Sequence, residues 1–181
     1  MIVVLTKISD VLIIQPQIFG DERGFFLESF NQKIFCGKTG LNVEFVQDNH
    51  SRSVQNVLRG LHYQIQQPQG KLIRVVAGKI LEVAVDIRRN SPTFGQWVSC
   101  YLSAENRHQL WVPAGFAHGF LVVSEMAEVL YKSTDYYAPQ YERSIRWDDP
   151  DLSINWNLDA APILSSKDKA GALFKDAEVY V

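Results

Sequence analysis

Polar side chains capable of chemistry crowd three short stretches of this sequence: Gln47-Asp48-Asn49-His50-Ser51, Arg59-Gly60-Leu61-His62-Tyr63-Gln64, and Lys71. Each lies beside strand-like sequence, so a barrel built from those strands would have a polar lumen. A histidine at position 62 suits proton transfer, and the overall charge leaves room for a local basic pocket that takes a phosphate-bearing small molecule. The plainer reading of any one of these side chains is a strand that alternates a solvent face with a core face. Arg59 and His62 are an odd and an even position, which a regular strand aims at opposite faces. Gly60 between them can host a bulge that returns both to one side.

The elements that must position these residues are β-rich. Strand-like runs cover Val11 to Phe19, Phe25 to Phe30, Val43 to Asn49, Lys71 to Val76, Ile80 to Arg88, Gln96 to Ser103, Gln109 to Val112, Gly119 to Val123 and Val129 to Thr134. Gly, Pro, Asn or Ser turns separate most of them, which argues for a sandwich or barrel. Val83, Val85 and Ile87 alternate with Glu82, Ala84 and Asp86, and Ala77-Gly78-Lys79 offers a tight turn before them, predicting a hairpin there. Helices are expected over Asn31 to Gly37, capped by Asn31, and around Ser165 to Leu173, capped by Ser166.

At 181 residues, with 46% hydrophobic content, the chain is expected to form one domain over 1–181. Its opening apolar run is broken by Lys7 and Asp10, and no later segment is long and apolar enough to span a bilayer, so a cytoplasmic protein is expected. Cys36 and Cys100 have no metal-type spacing and read as structural thiols. A formal charge of −2 predicts neither a nucleic-acid nor a membrane partner. Cys36-Gly37-Lys38-Thr39-Gly40 ends like a phosphate-binding loop, but Gln32 stands where that motif needs its first glycine, and an exposed turn is expected instead.

Four segments together resemble the dTDP-4-dehydrorhamnose 3,5-epimerase family: Val57-Leu58-Arg59-Gly60-Leu61-His62-Tyr63-Gln64, Pro92-Thr93-Phe94-Gly95, Pro113-Ala114-Gly115-Phe116-Ala117-His118-Gly119-Phe120 and Ser165-Ser166-Lys167-Asp168. Gly20-Asp21-Glu22-Arg23-Gly24-Phe25-Phe26 and Leu130-Tyr131-Lys132 extend the resemblance, which runs from about residue 3 to about residue 175. It implies a mainly β, cupin-like double-stranded β-helix (jelly-roll) barrel with a few short helices, a homodimer, and cofactor-independent epimerisation of a dTDP-4-keto-6-deoxy sugar. By the same resemblance His62 is the base with Asp168 its partner, Tyr131 the acid, and Lys71 the cation facing the keto oxygen. The nucleotide contacts carry over onto Arg23, Glu28, Gln47, Asp48, Asn49, Arg59, His118, Glu142 and Lys167, with stacking from Phe26 and Tyr137. Arg23, Phe26 and Glu28 are expected to reach a partner subunit's site.

Inverting a carbon beside a ketone needs a base, a stabiliser for the enolate oxygen and an acid on the other face, and these residue types supply all three. Two readings compete. Pro113 to His118 also matches the second signature of metal-binding cupins, but His62 is followed by Tyr63 and Gln64 rather than a second histidine and an acidic ligand, and Lys71 would repel a divalent ion. A non-catalytic sugar-binding barrel would need the nucleotide contacts but not the set His62, Asp168, Tyr131 and Lys71.

Overall fold

The computed structural model describes all 181 residues. Thirteen strands and two short helices follow the chain, with β1 at Ile2–Leu5, β2 at Leu12–Gln15, β3 at Ile18–Asp21 and β4 at Gly24–Leu27. Helix α1 spans Gln32–Thr39, followed by β5 (Gln47–Val54), β6 (Leu58–Gln64), β7 (Lys71–Ala77) and β8 (Lys79–Asp86). The rest are β9 (Trp97–Ser103), β10 (Gln109–Val112), β11 (Phe116–Val122), β12 (Met126–Ser133), β13 (Glu142–Ser144) and helix α2 (Ser166–Lys169). A six-stranded sheet, β1-β2-β10-β7-β12-β5, faces a five-stranded sheet, β13-β6-β11-β8-β9, and β3-β4 forms a separate hairpin. Neighbouring strands in these sheets are antiparallel. The two sheets close on one another as the expected cupin-like jelly roll.

Alternation along the strands sorts the core into three layers. Ile73 and Val75 of β7, Ile80 and Ala84 of β8, Phe116 and Phe120 of β11, and Val129 of β12 fill the interior between the sheets. The odd positions Val83 and Val85 of β8 join Leu58, Leu61, Leu121 and Trp156 in an outer layer, where the C-terminal segment covers the five-stranded sheet. Both faces of β8 are therefore covered, and from Ile80 to Asp86 every residue is buried.

Helix α1 covers the other sheet. At eight residues it is too short to persist alone, and its Phe35, fully buried against Leu12, Ile14, Leu72 and Trp111, anchors it. Burying that ring is worth roughly 1.5–3 kcal/mol. Asn31 caps the N-terminus as expected, its side chain accepting from the Ile34 amide at 3.1 Å.

The structure corrects four expectations. Gly78 does turn the chain between β7 and β8, with φ of 72°, but the two strands enter different sheets, so the predicted hairpin is a corner. The run Val11 to Phe19 is split by Pro16 into β2 and β3. Residues 36 to 39 are the last turn of α1 rather than an open turn, with Gly40 as its left-handed cap. Ser165, not Ser166, caps α2, whose four residues end at Lys169, well short of Leu173. No helix is long and apolar enough to cross a membrane.

Candidate active site

Strand β6 delivers both Arg59 and His62 to the interior by the bulge that Gly60 suggested. His62 pairs with His118 and Arg59 with Phe120 of β11, so three steps along β6 oppose two along β11. Gly60 sits at φ of +126°, and a Cβ there would stand 2.5 Å from the Cα of Gly119, so the close passage of β6 over β11 requires glycine. Leu58 and Leu61 consequently both enter the outer core while Arg59 and His62 line the cavity. Arg59 Nε donates to Ser53 Oγ of β5 at 3.0 Å.

Across from this strand, α2 presents Asp168. Ser165 and Asp168 form a capping box: the Asp168 amide donates to Ser165 Oγ at 3.1 Å, and the Ser165 amide donates to Asp168 Oδ2 at 3.3 Å. The other oxygen, Oδ1, accepts from His62 Nε2 at 2.7 Å and from the Gly60 amide at 3.1 Å. Burial alone would raise the Asp168 carboxyl, but hydrogen bonds from His62, Ser165 and Gly60 outweigh it and hold the group well below the usual carboxylate range. A carboxylate only accepts, so His62 Nε2 carries the hydrogen, which in the neutral ring leaves the lone pair on Nδ1.

The opposite wall is a second chain of hydrogen bonds. Lys71 Nζ of β7 lies 2.7 Å from His118 Nε2 of β11, and His118 Nδ1 lies 2.8 Å from Glu82 Oε1 of β8. Lys71 also stands over the ring of Tyr131 of β12, 5.8 Å from its centroid. Burial draws the Lys71 ammonium down to about 8, against the pull of Glu82 and Glu142. Burial likewise raises Tyr131, which remains a phenol at neutral pH, and pushes His118 well below the ordinary imidazole value, with Lys71 and His62 adding to the effect.

His62, Lys71, His118, Tyr131, Arg59 and Glu142 thus share one cavity of about 150 Å³. A larger open groove of about 830 Å³, between Lys7–Asp10 and Arg88–Thr93, contains none of them. At the mouth, Glu142 pairs with Lys167 and accepts from Tyr137 Oη at 2.7 Å. Gln47 Oε1 accepts from the Tyr137 amide at 2.9 Å, and Gln47 Nε2 donates to Asn49 Oδ1 at 2.9 Å.

The family model described as dTDP-4-dehydrorhamnose 3,5-epimerase matches residues 5–176. The chain belongs to that family. A dTDP-4-dehydrorhamnose 3,5-epimerase of Pseudomonas aeruginosa is 60% identical over 173 residues, covering 96% of each chain. The crystal structure of the dTDP-6-deoxy-D-glucose-3,5-epimerase of Legionella pneumophila in complex with dTDP-4-keto-L-rhamnose superposes with a TM-score of 0.95 at 55% identity, over 97% of this chain and 94% of that one. A 3'-monoepimerase of Streptomyces bikiniensis in complex with dTDP-quinovose shares the fold at a TM-score of 0.89 and 34% identity, over 94% of this chain and 87% of its own.

Not every residue expected from the epimerase family gathers at the cavity. Arg23 and Phe26 sit on the β3-β4 hairpin, where Arg23 is exposed and paired with Asp21, and Phe26 is 69% exposed. Glu28 follows the hairpin and accepts from Asn31 Nδ2 at 3.2 Å. Asp48 alternates away from Gln47 and Asn49 and pairs with Lys132 at 2.9 Å. His118, expected on the nucleotide side, lies instead beside Lys71. Two residues that sequence reasoning did not single out as functional now stand out. Ser165 builds the Asp168 cap. Glu82 is fully buried in a strand face whose neighbours, Ile80 and Ala84, are apolar, and a carboxylate on such a face is the signal that could have found it.

Proposed function

We propose that this epimerase converts dTDP-4-dehydro-6-deoxy-D-glucose to dTDP-4-dehydro-L-rhamnose by inverting carbons 3 and 5 through the keto sugar's enolate, with no cofactor. The observation that carries the reading is the His62–Asp168 pair facing Lys71 and Tyr131 across one cavity. His62 Nδ1 removes the proton beside the 4-keto group, and the electron pair moves to the keto oxygen. Asp168 steadies the imidazolium that forms. Lys71 stabilises the negative oxygen more than the neutral ketone and so lowers the barrier. Tyr131 returns a proton to the opposite face of the same carbon. Before the second carbon reacts, the imidazolium releases its proton and the tyrosinate regains one, both by exchange with water.

On the nucleotide side, Arg59 offers the diphosphate paired hydrogen bonds, and Gln47, Asn49, Tyr137, Glu142 and Lys167 surround the nucleoside. The working unit in this reading is a cytoplasmic homodimer in which Arg23, Phe26 and Glu28 of the partner subunit close the site, consistent with the exposure of Arg23 and Phe26 on the hairpin and of Glu28 just after it.

The test is incubation with the dTDP-keto sugar in heavy water, followed by sugar NMR. Deuterium is expected at both carbon 3 and carbon 5, because one base and one acid serve both. Exchange at one carbon only makes the protein a mono-epimerase. Exchange at neither, with nucleotide binding retained, makes it a sugar-binding module.

A further inference from the structure

Glu82 has no part in the chemistry above, yet it is the carboxylate that sits deepest beside the site. Its side chain is fully buried, and its Oε2 has no hydrogen-bond partner. Its Oε1 contacts His118 Nδ1, whose ring carries the contact on to Lys71. An ammonium has no lone pair, so a charged Lys71 must donate to His118 Nε2. The imidazole, kept neutral by burial, then bears its hydrogen on Nδ1 and donates it to the Glu82 carboxylate. With Lys71 charged, each bond in the chain has one direction, and a buried cation and anion are joined through a neutral ring.

We propose that Glu82 is a positioning residue of the epimerase: through His118 it fixes the imidazole tautomer that receives Lys71 and supplies the buried negative charge that keeps Lys71 an ammonium facing the keto oxygen. This deepens the reading of the site as an enolate-forming epimerase and rests on it. The groups facing Lys71 are Glu82 of β8, His118 of β11, Tyr131 of β12, Glu142 of β13, Lys167 of α2, and Arg59 and His62 of β6. Among the two carboxylates, Glu142 is already paired with Lys167, which leaves Glu82 as the uncommitted counter-charge. Burial pushes the Glu82 carboxyl well above the ordinary carboxylate value and draws Lys71 down, and each charge opposes that effect on the other, Glu82 being the largest influence that restores the Lys71 charge. A neutral amine would give the enolate oxygen no charge, so loss of Glu82 would reach the reaction through Lys71.

The experiment measures kcat and KM across the neutral to alkaline range for the wild-type protein, Glu82→Gln and Glu82→Asp. The amide can still accept from His118 but carries no charge. Glu82→Gln is expected to keep KM within a few-fold and to lose about 10- to 100-fold in kcat near pH 8, with the deficit shrinking as the pH falls. The alkaline limb of its profile should move to lower pH, and Glu82→Asp should restore it. A loss equal at every pH, or an effect confined to KM, overturns the proposal. A second measurement needs neither substrate nor variant: carbon NMR of the glutamate carboxyls in the wild-type protein. Glu82 should be ionised near neutral pH, with its resonance shifting as Lys71 loses its proton, and a carboxyl that is protonated there overturns the proposal. Failure of the wild-type protein to exchange sugar protons in heavy water would instead defeat the epimerase reading.

Discussion

In the proposed mechanism His62 is the base, Asp168 occupies its other nitrogen, and the two are separated by 106 positions in the chain. Replacing His62 with Asn removes the proton acceptor but leaves a side chain that Asp168 can still hold. Turnover should fall by ~10²- to 10⁴-fold while the affinity for dTDP, measured by calorimetry, stays within a few-fold. Lys71→Met should likewise lower kcat more than it raises KM, since the charge matters most once the enolate develops. A pure loss of affinity would make Lys71 a phosphate contact. The placing of Arg59 and His62 on one face was legible from their parity and the glycine between them. The His62–Asp168 pairing was not legible from periodicity, because a contact across that separation leaves no local pattern, and it came from the family motifs alone. Glu82 was hidden because Val83, Val85 and Ile87 mark the other face of its strand as a core face, and that its own face, with Ile80 and Ala84, also turns inward depends on closure of the barrel.

At the scale of elements, the segment after β8 shows how one carboxylate holds a loop. Asp86, fully buried at the strand's end, accepts from Arg88 Nε at 2.9 Å, from Arg88 Nη2 at 2.7 Å and from Thr93 Oγ1 at 2.6 Å, with Ser91 Oγ as a further donor. This gives the Pro92-Thr93-Phe94-Gly95 motif a structural role, since the turn also returns the Gly95 amide to the Asp86 carbonyl at 2.9 Å. Burial would raise the Asp86 carboxyl, but bonds from Arg88, Ser91 and Thr93 bring it down to about 2 from 3.8. A lowered folded-state value means stability that is present in full above the unfolded value and lost as pH falls from 3.8 toward 2. Asp86→Asn should therefore cost about 2 kcal/mol at neutral pH in urea unfolding, with the gap to wild type closing below about pH 3. A gap that persists unchanged into acid would mean that shape, not charge, holds the loop. Elements of this kind were only partly readable beforehand. Gln109–Val112 emerged with the expected bounds, and the turn at Gly78 was correctly located. Which sheet β7 and β8 join depends on distant partners, and the three-residue β13 is too short to show a period.

At the scale of the whole molecule, the β3-β4 hairpin is the feature one protomer leaves unexplained. Phe19, Phe25 and Phe26 are 60%, 58% and 69% exposed, and Arg23 lies among them, outside the cavity that holds His62. A homodimer in which each hairpin serves the partner's site would bury these rings and bring Arg23 to the diphosphate. The arrangement makes a sharp prediction for mixed dimers. Arg23→Ala subunits keep their own His62, whereas His62→Asn subunits keep their own Arg23, and each variant alone should be weak at substrate concentrations below KM. In a mixed dimer, if Arg23 acts across the interface, the site built on the Arg23→Ala subunit has its own His62 and the partner's intact guanidinium. Its other site carries both lesions. Random assembly makes half of the dimers mixed with one good site each, so co-expression followed by tandem-tag purification should yield about half of wild-type activity in the mixed fraction and about a quarter before purification. If Arg23 serves its own subunit, every site in the mixture carries one lesion, and no recovery would be seen at any ratio of the two variants.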